Sequence, residues 1–197
     1  MALTPVSNRE VATVVTTLEM RARPPLRPAP DAPLSLKRWR APGRDAYRAL
    51  FRRVGGPWLW FSRLSMPDTR LDAILGSATT EVYAVADRAG LEVGMLELDF
   101  ARAGECKIAY LGLIPELAGQ GLGRWLMHHA LTLAWRPGVS RVWVHTCTLD
   151  HPRALGFYRA SGFSAVKRTV ETFVDPRLEG TLPPDAAPHV PLLASLP

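Results

Sequence analysis

Cysteine and lysine are both scarce in this 197-residue chain. Its two cysteines, Cys106 and Cys147, are too few and too far apart for a disulfide framework or a zinc site. The expectation is therefore a cytoplasmic protein with reduced thiols and no metal. No stretch approaches the roughly 18 uninterrupted apolar residues of a membrane span, so a membrane is not an expected partner. The opening residues, MALTPVSNREVATVV, lack the basic region and apolar core of a secretory leader. Only Lys37, Lys107 and Lys167 are lysines among the 24 basic residues, and the net charge is +6. The arginines are scattered, apart from RARPPLR at 21–27 and RR at 52–53. A nucleic-acid module would gather its cations on one face, so nucleic acid is not expected as a partner either.

What remains is a hydrophobic fraction of 47% and a charged fraction of 21%, the balance of a globular domain with a substantial core. The segment RPPLRPAPDAP, 23–33, holds five prolines and cannot form helix or central strand. It joins a β-like stretch at 11–20 to a short strand at 34–39. A helix is expected across 43–54, and Pro67-Asp68 opens a second that ends near Gly76. Strands follow at 81–87, 91–100 and 106–114, with DRAG and ARAG as hairpin turns between them. Leu122, Leu126, Ala130 and Leu133 recur near a four-residue spacing and predict a helix over 119–135. A strand at 141–147, a helix at 151–161 and a strand within 162–174 complete the pattern. The plan is α+β around one mostly antiparallel sheet. In domains, 1–33 is an N-terminal strand and linker, 34–178 the main unit, and 179–197 a loosely held Pro-rich tail. The stretch 11–20 has two readings, an added edge strand or a homodimer contact.

ELAGQGLGRWLM, 116–127, packs three glycines into five positions just before a helix. A helix start leaves its first N–H groups without intrahelical partners, and its dipole favours an anion there. Glycines let phosphate oxygens approach where a Cβ would block them. A Walker loop needs Lys and Ser/Thr after the glycines, but Arg124 and Trp125 stand there. A dinucleotide fingerprint needs a third glycine at 124 or 126, where Arg124 and Leu126 stand. The remaining reading is a pyrophosphate loop for an acyl-CoA. Ala118, Gly119, Gln120, Gly121, Leu122 and Gly123 resemble the Gln/Arg-x-x-Gly-x-Gly/Ala motif of the GNAT N-acetyltransferase superfamily. Ala118 departs from it, where the superfamily prefers Gln or Arg.

A second block, LDHPRALGFYRASGF at 149–163, falls in register with the superfamily's Asn-x-x-Ala-x-x-Phe-Tyr-x-x-x-Gly-Phe. His151 replaces the Asn, while Ala154, Phe157, Tyr158, Gly162 and Phe163 match. On a helix Ala154 and Tyr158 share one face, and the small Ala leaves room for a ligand. Gly162 ends that helix. The resemblance covers about 79–174.

The resemblance implies a GNAT-like fold: a mixed, mostly antiparallel sheet splayed between two strands and flanked by helices. It implies acetyl-CoA as cosubstrate, with the pantetheine arm along the strand edge that includes Leu113 and Ile114. The pyrophosphate would lie on the N–H groups of residues 119–124, with Arg124 adding charge, and His151, Ala154 and Phe157 nearby. Tyr158 matches the superfamily's tyrosine that protonates the departing sulfur. Glu105 matches the offset of a strand glutamate that serves as base in the histone acetyltransferase branch, and Glu97 is the second candidate; ordered water is the alternative to both. His145 shares a strand face with Trp143 and Cys147 and reads as a packed histidine. The acceptor, an amine on a small molecule or peptide, would meet the aromatic stretch GGPWLWFSRLSMPD. There Trp58 and Trp60 are expected to share a face, with Phe61 beside them. The implied activity is acetyl transfer from acetyl-CoA to a primary amine; the alternative is a catalytically degenerate acyl-CoA sensor.

Overall fold

The structure, a computed structural model, describes residues 3–25 and 28–193. Its elements in chain order are β1 (Glu10–Met20), β2 (Ser35–Trp39), α1 (Arg44–Gly55), α2 (Asp68–Leu75), β3 (Thr80–Ala86) and β4 (Glu92–Asp99), then β5 (Glu105–Leu113), α3 (Leu122–Ala134), β6 (Arg141–Cys147), α4 (Ala154–Ala160) and β7 (Ser164–Val174). Helix α3 starts three residues later than its apolar periodicity suggests. Gly119 and Gly121 hold φ values of +80° and +78°, a left-handed backbone that no right-handed helix continues through. Helix α4 likewise starts at Ala154 rather than His151, because Pro152 drives the residue before it away from the α region.

The seven strands form one sheet in the order β2-β3-β4-β5-β6-β1-β7. Every pairing is antiparallel except β5 with β6. The α+β expectation therefore holds, but β1 is not an edge strand. It lies between β6 and β7, with Val15 opposite both Cys147 and Thr169. Burial explains the placement: Leu18 and Met20 join the apolar cluster under α3, which a strand at the rim could not reach.

Alternation along the strands sends side chains to two layers. Tyr83, Val85, Val142 and Val144 pack with α3 on one face, while Val82, Ala84 and Met95 pack with α1 and α2 on the other. On α1, Tyr47, Leu50, Phe51 and Val54 follow helical spacing and are all buried. The C-terminal segment is held more firmly than its prolines suggest. Leu182 and Ala187 are buried, and Arg177 donates to the carbonyls of Ala186 (3.1 Å) and Val190 (2.9 Å) while paired with Asp175 at 2.7 Å. Residues 194–197 of the expected tail lie outside the described residues.

Two irregularities shape the middle of the sheet. β5 and β6 pair only from Glu105–Arg141 to Ile108–Val144, and beyond that point the strands part. At the same place Ala109 is an extra residue in β5: Leu98 opposes Ile108, yet Glu97 opposes Tyr110. This bulge sends Ile108 to the α3 side and Tyr110 to the α1 side, although an unbroken strand would put both on one face.

Candidate active site

The parting of β5 and β6 opens a cavity of about 530 Å³ that crosses the sheet. Its α3 end is floored by the glycine-rich turn. Gly119 and Gly121 are left-handed, and no acidic residue stands in the first turn of α3. Among the described residues, the N–H groups of residues 119–123 donate to no protein acceptor. Five unpaired donors at a helix start, with Arg124 beside them, form a cradle for an anion. Leu113, Ile114, Ala118, Gly119, Gly121, Leu122, Gly123 and Arg124 all line the cavity. Gln120 does not: its side chain turns back and donates to the Glu116 carbonyl at 3.0 Å.

His151, from the corner before α4, and Ala154, Phe157 and Tyr158, from α4 itself, reach the same cavity. The Tyr158 ring is wedged edge-on against Phe157 and Phe163, at 5.5 and 5.9 Å. Among the described residues its hydroxyl has no protein partner, and Tyr158 lines the cavity. Burial, and then the Asp150 carboxylate, push the phenol well above its ordinary pKa, so it stays protonated across the neutral range. His151 accepts the Arg153 N–H at its Nδ1 (3.1 Å) and meets the edge of Trp58 at 5.3 Å.

The α1 side of the cavity is aromatic. Trp58, Trp60 and Phe61 all line it, but they do not form one stripe. Gly56–Trp58 is a 3-10 turn and Leu59 is left-handed (φ 55°), so strand-like alternation does not apply. Trp58 turns toward His151 and His189, Trp60 packs on Phe51 and Tyr110, and Phe61 packs at a tilt against Phe173 at 4.7 Å. Two glycines make room for Trp60: a Cβ on Gly55 would lie 2.3 Å from its ring, and one on Gly112 3.2 Å.

Neither Glu97 nor Glu105 reaches the cavity. Glu97 is fully buried, accepting from the Tyr47 hydroxyl and from Arg63. Glu105 sits at the start of β5, before the strands part, and pairs with Arg141 at 3.1 Å. The carboxylates that do line it are Asp150 and Glu171. Asp150 accepts from the Trp60 indole, the Thr146 hydroxyl and the Cys147 N–H, at 3.2, 2.8 and 2.9 Å. Tyr110, whose hydroxyl meets Ser62 Oγ at 2.6 Å, is also in the wall, brought there by the bulge. Nothing in the local sequence around Tyr110 marks that bulge. His145 follows Val144, the last residue of β6 paired with β5, and turns to the face opposite α3. It lines the cavity, near Lys107 and Lys167. Its side chain is exposed at the cavity mouth, yet partial desolvation by the walls, and then those two cations, hold its imidazole below the ordinary value of 6.5.

Residues 46–163 match the sequence profile of the acetyltransferase (GNAT) family. A GCN5-related N-acetyltransferase from Sphaerobacter thermophilus shares the fold at a TM-score of 0.58 and 17% identity, over 82% of this chain and 51% of that one. A soil-metagenome aminoglycoside acetyltransferase, solved with trehalose, aligns at 0.56 and 21% identity, over 71% of this chain and 93% of that one. A tandem GNAT protein from the clavulanic acid biosynthesis pathway gives 0.56 and 19% identity, over 82% of this chain and 53% of that one. This chain thus spans about half the length of the Sphaerobacter protein, with 51% covered. No curated protein matches it in sequence. At such identities the solved structures speak for the fold alone, but the profile spans well over half of the chain and includes both the glycine-rich turn and Tyr158. The chain belongs to the GNAT acetyltransferase family.

Proposed function

We propose that this protein transfers an acetyl group from acetyl-CoA to a primary amine by direct attack within a ternary complex. The observation that carries the reading is the cavity itself. An anion cradle, a free strand edge and a protonated tyrosine open on one side of the sheet, and an aromatic wall opens on the other. The residues fit a CoA ester: unpaired N–H groups at 119–123 suit its pyrophosphate, and the unpaired edge of β5 after Ile108 suits its pantetheine amides. Acetyl-CoA, when bound, supplies an acyl group activated as a thioester. Tyr158 stands ready to give its proton to the sulfur as the carbon–sulfur bond breaks.

The incoming amine must be neutral to attack, and its proton needs an acceptor. Glu97 and Glu105 are engaged elsewhere, and His145 is the better candidate for that acceptor. It lies where the strands part, on the side of the aromatic wall, and its depressed pKa keeps the imidazole neutral. Cys147 also lines the cavity, but burial and Asp150 push its thiol pKa up, which disfavours an acyl-enzyme through sulfur.

Calorimetric titration with acetyl-CoA, followed by thiol release with a panel of amines, tests the reading. Wild type and Tyr158→Phe should bind acetyl-CoA alike. Gly121→Glu, which puts a carboxylate into the cradle, should lose about tenfold or more in affinity, roughly 1.4 kcal/mol. Folded wild type that binds no acetyl-CoA would overturn the proposal.

A further inference from the structure

The two edges of the sheet are built differently. β2 is five residues long, carries Lys37 and Arg38, and follows the Pro-rich segment, all features that discourage pairing with another strand. β7 is eleven residues long, contains neither Pro nor Gly, and is exposed along almost its whole length. It pairs with β1 on one side, and among the described residues no strand pairs with its other side. Eight large apolar side chains stand exposed among the described residues, and four of them, Val14, Val166, Val170 and Val174, lie on β1 and β7. Val14 is opposite Val170, which is 72% exposed. A long regular edge beside exposed valines is a surface that lacks its partner.

We propose that the partner is a second copy of this chain, joined β7 to β7 in an antiparallel pair about a two-fold axis at Val170. The strand is self-complementary in this register. Val170 meets the partner's Val170, Thr169 meets the partner's Glu171, and Lys167 meets the partner's Phe173. Lys167 and the partner's Glu171 then become diagonal neighbours on the same face, within reach of an ion pair, and the two-fold repeats the contact. Val166 is the extra residue of a bulge against β1, and it ends the regular stretch on each side. Glu171 and Phe173 line the cavity, so this pairing brings the partner's Lys167 to the acceptor-side rim of each site.

The test is molar mass by light scattering or sedimentation across a concentration series, a readout that does not depend on acyl transfer. Wild type should form dimers. Val170→Lys should weaken association at least tenfold with no change in the cooperativity of thermal unfolding, because that side chain is exposed. Lys167→Glu should weaken it too, and Lys167→Glu combined with Glu171→Lys should recover it. Residues four apart on one strand are about 13 Å apart, too far to pair within a chain, so recovery reports the contact between copies. Wild type that stays monomeric throughout, Val170→Lys that dimerises as well as wild type, or a double variant no better than Lys167→Glu would each overturn the proposal.

Discussion

Trp60 donates its indole N–H to Asp150 at 3.2 Å, joining two residues ninety positions apart. Trp60 belongs to the loop after α1 and Asp150 to the corner between β6 and α4, so this bond ties the aromatic wall to the corner that carries Tyr158. Asp150 also accepts from Thr146 and from the Cys147 N–H, and so organises both sides of the cavity mouth.

Removing either end should have different consequences. Asp150→Ala strands three donors and should cost about 2–4 kcal/mol, read as a shift in the urea midpoint at constant slope. Trp60→Phe loses one hydrogen bond to a charged group, roughly 1.5–3 kcal/mol, together with part of the ring that fills the space beside Gly55 and Gly112. It should raise KM for the amine while leaving acetyl-CoA affinity alone. An unchanged amine KM would mean that Trp60 is core rather than wall.

The two strand glutamates make opposite predictions. Glu97→Gln leaves Arg63 buried without its carboxylate partner and should destabilise the fold by about 3 kcal/mol or more. Glu105→Gln removes a pair at the rim of the sheet, worth less than about 1 kcal/mol, and should leave kcat unchanged. A tenfold fall in kcat for Glu105→Gln would restore that residue as the base.

The pH dependence follows from the groups around His145: Lys107 on β5, and Lys167 and Glu171 on β7. Its pKa lies below 6.5, so the neutral, proton-accepting form is lost only as pH falls through that depressed value. kcat/KM should therefore fall with unit slope on the acid side, below pH 6.5. Lys107→Met removes one of the two cations and should move that limb to higher pH. His145→Gln should abolish the limb and lower kcat about a hundredfold, with acetyl-CoA binding intact. A limb that persists in His145→Gln would assign the base elsewhere.

The parts of this protein that depend on local rules were legible in its sequence. Left-handed glycines at 119 and 121 announce a turn that no helix can absorb, and the Ala154–Tyr158 spacing puts a small residue and a hydroxyl on one helix face. Strand and helix periods follow from which side must be buried. These are consequences of backbone sterics and of a repeat within a few residues; they point to an anion-binding turn, while the role expected of Tyr158 comes from the resemblance to the superfamily's second motif.

The rest was decided by contacts between distant segments. β1 took an interior place because Leu18 and Met20 needed the cluster beneath α3, and nothing within residues 10–20 names β6 and β7 as neighbours. A one-residue bulge at Ala109 chose the face of Tyr110. Glu97 and Glu105, alike as strand carboxylates, were separated by what surrounds them: a buried tyrosine and arginine for one, a rim arginine for the other. His145 turned from a packed side chain into a cavity wall because β5 and β6 part beside it. Whether a polar group is buried, paired or free depends on which strands meet, and a chain settles that only when its long-range pairings close.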